Sequence, residues 1–129
     1  MVARVVLAED EDDIGFVVKA KLEHAQIEVT WKKNGLDAWD AIQAEHPALA
    51  ILDVDMPGID GLEVLTRIKA TKDTRDIPVL MLTAQGHEAY IGSAKRKGAS
   101  DIVIKPFQPA DMLDRVQRLL RKSAAAAAR

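Results

Sequence analysis

Four segments of the chain end in side chains that could together bind a metal ion and a phosphoryl group. Each segment has the apolar pattern of a buried strand, and the residues at or just after the four ends are Glu9, Asp10, Asp53, Thr83 and Lys105. Open α/β sheets bind ligands at the carboxyl ends of their strands. We therefore expect three acids, a hydroxyl group and an ammonium group to meet at one edge of a sheet.

The acids in this set predict a magnesium site. Glu9, Asp10 and Asp53 are hard oxygen donors that no histidine or cysteine accompanies, which suits Mg²⁺, and Mn²⁺ could substitute for it. Three carboxylates so close together would raise one another's pKa unless a cation lay among them. The acids at 11–13 are better explained as an exposed first turn, since negative charge stabilises the N-terminus of a helix.

Asp53 has two possible roles in such a site. It could be a metal ligand only, or it could be a nucleophile that forms an acyl phosphate, as carboxylates do in several phosphoryl transfers. The transferred group carries its charge on three equatorial oxygens, so the reaction needs cations and hydrogen-bond donors around it. The metal ion, the Lys105 ammonium and the Thr83 hydroxyl could supply them from three sides.

Apolar runs and amphipathic stretches alternate five times along the chain. The predicted strands span residues 4–8, 27–31, 49–53, 79–83 and 102–104. Apolar residues then recur at helical spacing between them, and the second predicted helix should turn Leu36, Trp39 and Ile42 inward. Regular alternation of strand and helix predicts a parallel sheet with helices on both faces, and the polar–apolar alternation of 27–31 is typical of an edge strand.

Length and composition limit the possible functions. The 129 residues suit one domain, and 18 basic against 20 acidic residues give a net charge of −2 that does not favour direct binding to nucleic acid. The chain has no cysteine, so thiolate metal sites and disulfides are excluded. No stretch is long and apolar enough for a signal sequence or a membrane span, which predicts a cytoplasmic protein.

The motifs around these residues, taken together, resemble those of a bacterial response-regulator receiver domain. The resemblance extends from about residue 3 to residue 122 and depends on four segments: Val6–Asp10, Asp53–Gly61, Leu82–Ala84 and Lys105–Phe107. It implies a flavodoxin-like, doubly wound (βα)5 fold, a three-layer sandwich whose parallel sheet has the order 2-1-3-4-5. The expected domain is residues 1–122, with the alanine-rich residues 123–129 as a tail or the start of a linker.

The resemblance also implies roles for the acids. Asp53 would accept a phosphoryl group from the phosphohistidine of a sensor histidine kinase or of a phosphotransfer protein. Glu9, Asp10 and Asp53 would hold Mg²⁺ together with the backbone carbonyl of Asp55. Asp55 and Gln85 would border the path of attacking water and so tune the lifetime of the phosphoryl group. The domain would catalyse its own phosphorylation and slow autodephosphorylation without being an enzyme in the ordinary sense.

A switch is the further implication of the resemblance. Thr83 and Lys105 would contact the phosphoryl oxygens, and the peptide bond between Lys105 and Pro106 would be cis. Movement of Thr83 would be coupled to the face formed by the fourth helix, the fifth strand and the fifth helix. Ile102 stands where relatives usually carry an aromatic switch residue, so the coupling is expected to differ here. That face would control a downstream protein or a fused output domain, or would form a homodimer on phosphorylation.

Two other classes of protein share part of this pattern. The segment Asp53–Asp55 also matches the DxD motif of haloacid-dehalogenase-like phosphatases, which would hydrolyse phosphate esters with Asp53 as nucleophile. Those enzymes usually carry the motif on their first strand, and Pro57 stands where they have threonine or valine. A flavodoxin-like cofactor binder would need a phosphate loop after the first strand, and there the acids of residues 9–13 would repel phosphate.

Overall fold

A computed structural model describes residues 2–84 and 88–127 of the chain. The strands are β1 Arg4–Ala8, β2 Glu28–Lys32, β3 Leu49–Asp53, β4 Val79–Ala84 and β5 Asp101–Lys105. The helices are α1 Asp12–His24, α2 Gly35–Glu45, α3 Gly61–Ala70, α4 Glu88–Arg96 and α5 Pro109–Ala127. Strand and helix therefore alternate as the periodicity predicts, and the bounds of β1 and β3 agree with the predicted ones.

The five strands form one parallel sheet with the order β2-β1-β3-β4-β5. The flavodoxin-like fold and the strand order implied by the resemblance are thus confirmed. Strands β1, β3 and β4 lie inside the sheet, which explains why their residues are almost all apolar and buried. The partly polar strand β2 lies at the edge, as predicted.

Apolar side chains fill two cores, one on each face of the sheet. The first contains buried residues of α2, α3 and α4, and partners on the sheet such as Leu52 and Met81. The second contains residues of α1 and α5 with Leu7, Ile51 and Val103. We call these the α2–α4 face and the α1/α5 face. Since side chains of a strand alternate between faces, each residue's position along its strand decides which face it joins.

The prediction for the inner side of α2 is wrong in one residue. Leu36 is 49% exposed, whereas Ala38, Ala41 and Ile42 are buried. The small alanine side chains allow α2 to lie against β1 and β2, with which it is in contact. Leu36 is left on the solvent side in the first turn of the helix, and Trp39 is only partly buried.

Helix α5 is the longest helix described and runs into the alanine-rich segment. Its buried residues Met112, Val116 and Leu119 pack on the sheet, and the helix then continues through Ala127. Residues beyond Leu120 add about two further turns, at 3.6 residues a turn. Among the described residues, no helix has the length and apolar character that crossing a membrane requires.

Replacing Gly61 with alanine is expected to destabilise the protein. Gly61 begins α3, and a Cβ atom there would lie 2.1 Å from the backbone oxygen of Asp53. Because backbone atoms cannot move aside cheaply, we expect the free energy of unfolding to fall by about 1–3 kcal/mol. Urea denaturation measures the change. In the control Gly92→Ala, the atom nearest to the new Cβ is the movable Nη1 of Arg96 at 3.2 Å. The free energy of unfolding of this variant should be unchanged or slightly higher.

Candidate functional site

The ends of four parallel strands bring the predicted residues to one edge of the sheet. The backbone pairing aligns Ala8 with Leu52, Asp53 with Leu82, and Ala84 with Lys105. Glu9 and Asp10 follow the end of β1, so they reach the same edge as Asp53. The sequence-based expectation that these chain segments end together is therefore met in the structure.

Strand alternation also decides the side on which each residue points. Asp53 follows Ile51 by two residues, Lys105 follows Val103 and Glu9 follows Leu7, and all three partners belong to the core of the α1/α5 face. Glu9, Asp53 and Lys105 should thus share that face, and their side chains are in contact there. These three residues form the centre of the site.

Lys105 is the cation at this centre. Its Nζ lies 3.0 Å from Oδ2 of Asp53, 2.9 Å from Oε1 of Glu9 and 3.4 Å from Oε2 of Glu11. Burial alone would lower the pKa of Lys105, but hydrogen bonds and charge interactions with Glu9 and Asp53 raise it overall. The ammonium group therefore stays charged at neutral pH and compensates the buried carboxylates.

Glu9 is the most buried acid of the site. Its side chain is fully buried, and burial, followed by its contact with Asp53, raises its pKa to about 8 although Lys105 acts in the opposite direction. Oε2 of Glu9 accepts a hydrogen bond from the backbone N–H of Glu11 at 3.2 Å, and Oε1 lies 2.9 Å from the Lys105 ammonium. A buried carboxyl group next to another acid is stabilised by a neighbouring cation, and Lys105 supplies one here.

The acidic cluster fits a divalent cation. Oxygen atoms of Glu9, Asp10 and Asp53 lie within 4.8 Å of one another, with Glu9 and Asp53 buried and Asp10 exposed. All the donors are carboxylate oxygens, which Mg²⁺ and Mn²⁺ prefer. Asp10 faces solvent, so the remaining coordination positions of an ion are accessible to water or phosphate oxygens. The set predicted from the sequence is thus capable of holding a metal ion.

Thr83 lies at the same edge but on the other face. It pairs with Ile104 and follows Met81 by two residues, so its side chain belongs to the α2–α4 face, opposite Asp53. The residue is buried, and its hydroxyl group donates a long hydrogen bond of 3.5 Å to the carbonyl of Ala84. Sequence reasoning did not foresee this separation, although the alternation along β4 contains the signal. Contact with a group on Asp53 would require the Thr83 side chain to turn.

Ile102 shares the face of Thr83. It pairs with Met81 and packs, partly buried, against the core of the α2–α4 face. Ile102 and the exposed Ile104 line a groove with Ile91 and Lys95 of α4. The aliphatic side chain therefore lies between the edge that carries Thr83 and the outer surface of α4 and β5.

The remaining predicted residues surround Asp53 and Lys105. The backbone N–H of Asp55 donates to Oδ1 of Asp53 at 3.2 Å, and the Asp55 side chain is exposed. The peptide bond between Lys105 and Pro106 is cis. Gln85, the second residue expected to influence attacking water, lies outside the described residues.

Two contacts at the site were missed by sequence reasoning. Glu11, interpreted above as part of a solvated acidic turn, reaches Lys105 from the residue that precedes α1. The interpretation is correct for Asp12 and Asp13, which are exposed in the first turn of α1. Trp31 of β2 donates its indole N–H to the backbone carbonyl of Glu9 at 2.8 Å. Both contacts join residues far apart in the chain, so local patterns contain no signal for them.

These features define a flavodoxin-like α/β domain with an acidic, lysine-compensated site at the carboxyl edge of its sheet. The family model described as "Response regulator receiver domain" matches residues 5–117, and the chain belongs to this family. Receiver domains are regulatory components of two-component systems, in which they work with histidine kinases and output domains.

Individual relatives agree with this assignment. The chain is 34% identical over 119 residues to the transcriptional regulatory protein SrrA of Staphylococcus aureus, covering 92% of this chain and 48% of that protein. The solved structure of NtrX from Brucella abortus matches with 31% identity and a TM-score of 0.89, over 98% of this chain and 29% of that one. The chemotaxis response regulator CheY4 of Vibrio cholerae matches with 28% identity and a TM-score of 0.86, over 92% of this chain and 99% of that one. The chain spans about half the length of the curated relative.

The raised pKa of Glu9 leads to a prediction for stability. In metal-free protein the folded-state pKa of about 8 exceeds the ordinary value of 4.5, so the folded state holds a proton that the unfolded state releases. Glu9 therefore contributes stability that is fully present below pH 4.5 and is lost as the pH rises through about 8. We expect the neutral variant Glu9→Gln to reduce the loss of stability between these limits by roughly 2–4 kcal/mol.

Urea denaturation in the presence of EDTA measures this effect at pH 5, 7 and 9. The matched control is Glu88→Gln at the exposed start of α4, which should follow the wild-type pH profile. If Glu9→Gln and wild type lose stability in parallel from pH 5 to pH 9, Glu9 is not the titrating group.

Proposed function

We propose that Asp53 is the phosphoryl acceptor of this receiver domain. The donor is the phosphohistidine of a sensor histidine kinase or of a phosphotransfer protein, and the reaction depends on Mg²⁺. The observation that supports this role most strongly is the environment of Asp53. It is a buried carboxylate at a strand end, 3.0 Å from the Lys105 ammonium and within 4.8 Å of two further carboxylates.

The transfer is an exchange of one bond to phosphorus for another. A carboxylate oxygen of Asp53 forms the O–P bond while the P–N bond of the phosphohistidine breaks, and the leaving imidazole takes up a proton. The Asp55 N–H and the Lys105 ammonium orient the two oxygens of Asp53 before the reaction. Lys105 then stabilises the negative charge of the phosphoryl oxygens.

The acids hold the metal ion that this reaction needs. Mg²⁺ would be bound by the carboxylates of Glu9, Asp10 and Asp53 together with the backbone carbonyl of Asp55. When bound, the ion neutralises phosphoryl charge and compensates the repulsion between the acids. Mn²⁺ has the same preference for oxygen and can substitute. Asp55 and Gln85 tune the rate at which water removes the phosphoryl group.

The phosphodonor would dock beside α1. Phe16 and Val17 of α1 are 68% and 42% exposed although both are large and apolar. Val17 also lines an apolar groove, together with Ile14, Phe107 and Pro109. Lys105 and Pro106 form another part of the same groove. An exposed apolar patch of this kind is typical of a surface that binds another protein. Its position next to Lys105 would bring a donor histidine to the site.

The regulatory signal would reach a downstream protein through a different surface of the domain. Rotation of Thr83 toward the phosphoryl group would leave space beside Ile102 and so change the surface formed by α4, β5 and α5. That surface would control a downstream protein or a fused output domain, or would pair two copies of the chain. We assign the receiver unit to residues 1–122 and residues 123–129 to a tail or linker. We place the protein in the cytoplasm, where histidine kinases present their phosphohistidine.

Incubation with a small phosphodonor tests the proposal without a kinase. We expect acetyl phosphate and Mg²⁺ to give one labile phosphoryl adduct in the intact mass of the protein, and EDTA to prevent it. Continuous release of phosphate without an adduct would instead support the haloacid-dehalogenase-like phosphatase. Neither adduct nor turnover would refute both reactions for the small donor.

A further inference from the structure

The indole ring of Trp31 lies against the loop that carries two of the acids. Its Nε1–H donates to the backbone carbonyl of Glu9 at 2.8 Å. On the other side of the same residue, the N–H of Glu9 donates to the carbonyl of Lys32 at 3.0 Å. Both polar backbone groups of Glu9 are therefore held by β2. The chain leaves β2 to cap α2 at Asn34, and the indole supplies the donor for the Glu9 carbonyl at the point where the strand pairing ends.

Gly15 makes room for this ring. A Cβ atom on Gly15 would lie 2.0 Å from Cζ2 and 2.2 Å from Cε2 of Trp31, so only a glycine allows the indole to lie directly on α1. Glycine is unfavourable inside a helix, and at this position its backbone N–H still donates to the carbonyl of Glu11, the residue that precedes α1. The close contact with Trp31 explains why a glycine occupies this position.

A cation covers the outside of the same ring. Nζ of Lys33 lies 5.7 Å from the centroid of the indole and forms an ion pair with Asp12 at the start of α1. The indole is thus held between α1, the loop after β1 and Lys33. A ring fixed on three sides keeps its N–H at a defined position.

We propose that Trp31 is a positioning residue for binding of the divalent cation. Its N–H fixes the carbonyl of Glu9, and thereby directs the adjoining carboxylates of Glu9 and Asp10 toward Asp53. Hydrogen bonds outside the ligand set commonly orient metal ligands in this way and change metal affinity. The inference rests on the proposed function, because it assumes that these acids hold the ion.

The direct test compares Mn²⁺ binding by wild type and Trp31→Phe. Phenylalanine keeps an aromatic ring but removes the N–H, so the Glu9 carbonyl loses its donor. We expect the Mn²⁺ dissociation constant, measured from the electron paramagnetic resonance signal of free Mn²⁺, to rise about threefold to tenfold. The matched control Trp39→Phe, on α2 against the other core, should bind as wild type does. Asp10→Asn shows how much Mn²⁺ affinity is lost when a proposed ligand itself is removed.

Fluorescence of Trp39→Phe supplies a second readout that does not depend on the stability of Trp31→Phe. Trp31 is the remaining tryptophan of that variant, and its emission should change as Mg²⁺ is added, with the same midpoint as metal binding. Equal Mn²⁺ affinity in wild type and Trp31→Phe, or emission of Trp31 that is indifferent to saturating Mg²⁺, would overturn the inference. Absence of Mn²⁺ binding by wild type would refute the metal dependence in the proposed function itself, which the other two outcomes leave intact.

Discussion

Replacing Asp53 with asparagine is expected to abolish the phosphoryl adduct formed with acetyl phosphate and Mg²⁺. The amide has nearly the same shape as the carboxylate, and its oxygen can still accept the hydrogen bond from the Asp55 N–H. It lacks the negative oxygen that forms the bond to phosphorus. Intact-mass spectrometry should therefore show an unmodified and folded protein.

The control for this variant is Asp40→Asn on the exposed side of α2, which should be modified like wild type. Circular dichroism verifies that both variants are folded. Asp53→Asn also removes one of the charges that Lys105 compensates, while Lys105 retains Glu9 at 2.9 Å. An adduct of wild-type stoichiometry in Asp53→Asn would show that another residue is the acceptor.

Replacing Lys105 with alanine is expected to slow modification by about two orders of magnitude, a loss typical of removing one donor to a transition-state oxyanion. Nζ of Lys105 is the described cation at the centre of the site, within 3.4 Å of three carboxylates. Without it the phosphoryl oxygens lose a charge-assisted donor, whereas the acids that hold the metal remain. We therefore expect Mn²⁺ to bind at least as tightly as in wild type.

The rate of phosphoryl modification and the affinity for Mn²⁺ together distinguish this role of Lys105 from a purely structural one. The rate is measured from the growth of the adduct in quenched samples, and the affinity from the signal of free Mn²⁺. Lys97→Ala, which removes an exposed lysine after α4, serves as the matched control. Wild-type rates in Lys105→Ala would remove Lys105 from the mechanism, and equal losses of rate and Mn²⁺ affinity would indicate general disruption of the site.

Much of the site was predictable because it depends on where strands end. Apolar runs mark buried strands, and the polar residue that closes each run must lie at the carboxyl edge of a parallel sheet. Asp53 and Lys105 were found in this way, and their contact follows from the common edge. The strand order was not available from periodicity and came from the resemblance. The predicted strand bounds differ from the observed ones where a strand is partly polar. Strand β5, for example, is one residue longer at each end than predicted.

The remaining features depend on contacts between distant residues. Glu11 meets Lys105 across 94 positions of the chain, and Trp31 meets Glu9 across 22, so no local pattern reveals either contact. Leu36 has the spacing of a buried residue, but the packing of small alanines in α2 decides its exposure. Thr83 is an intermediate case. Its place at the edge follows from the end of its strand, and its face follows from the alternation of side chains along β4.

The chemical identity of the modified residue tests the central claim most directly. Sodium borohydride reduces an aspartyl phosphate to homoserine, which marks the acceptor permanently. Protein treated with acetyl phosphate and Mg²⁺ is reduced, digested and sequenced by tandem mass spectrometry. We predict homoserine at position 53, dependent on Mg²⁺ and absent when the phosphodonor is omitted. Homoserine at Asp10 or Asp55 instead, or a phosphoryl adduct that yields no homoserine, would contradict the assignment of Asp53 as the acceptor.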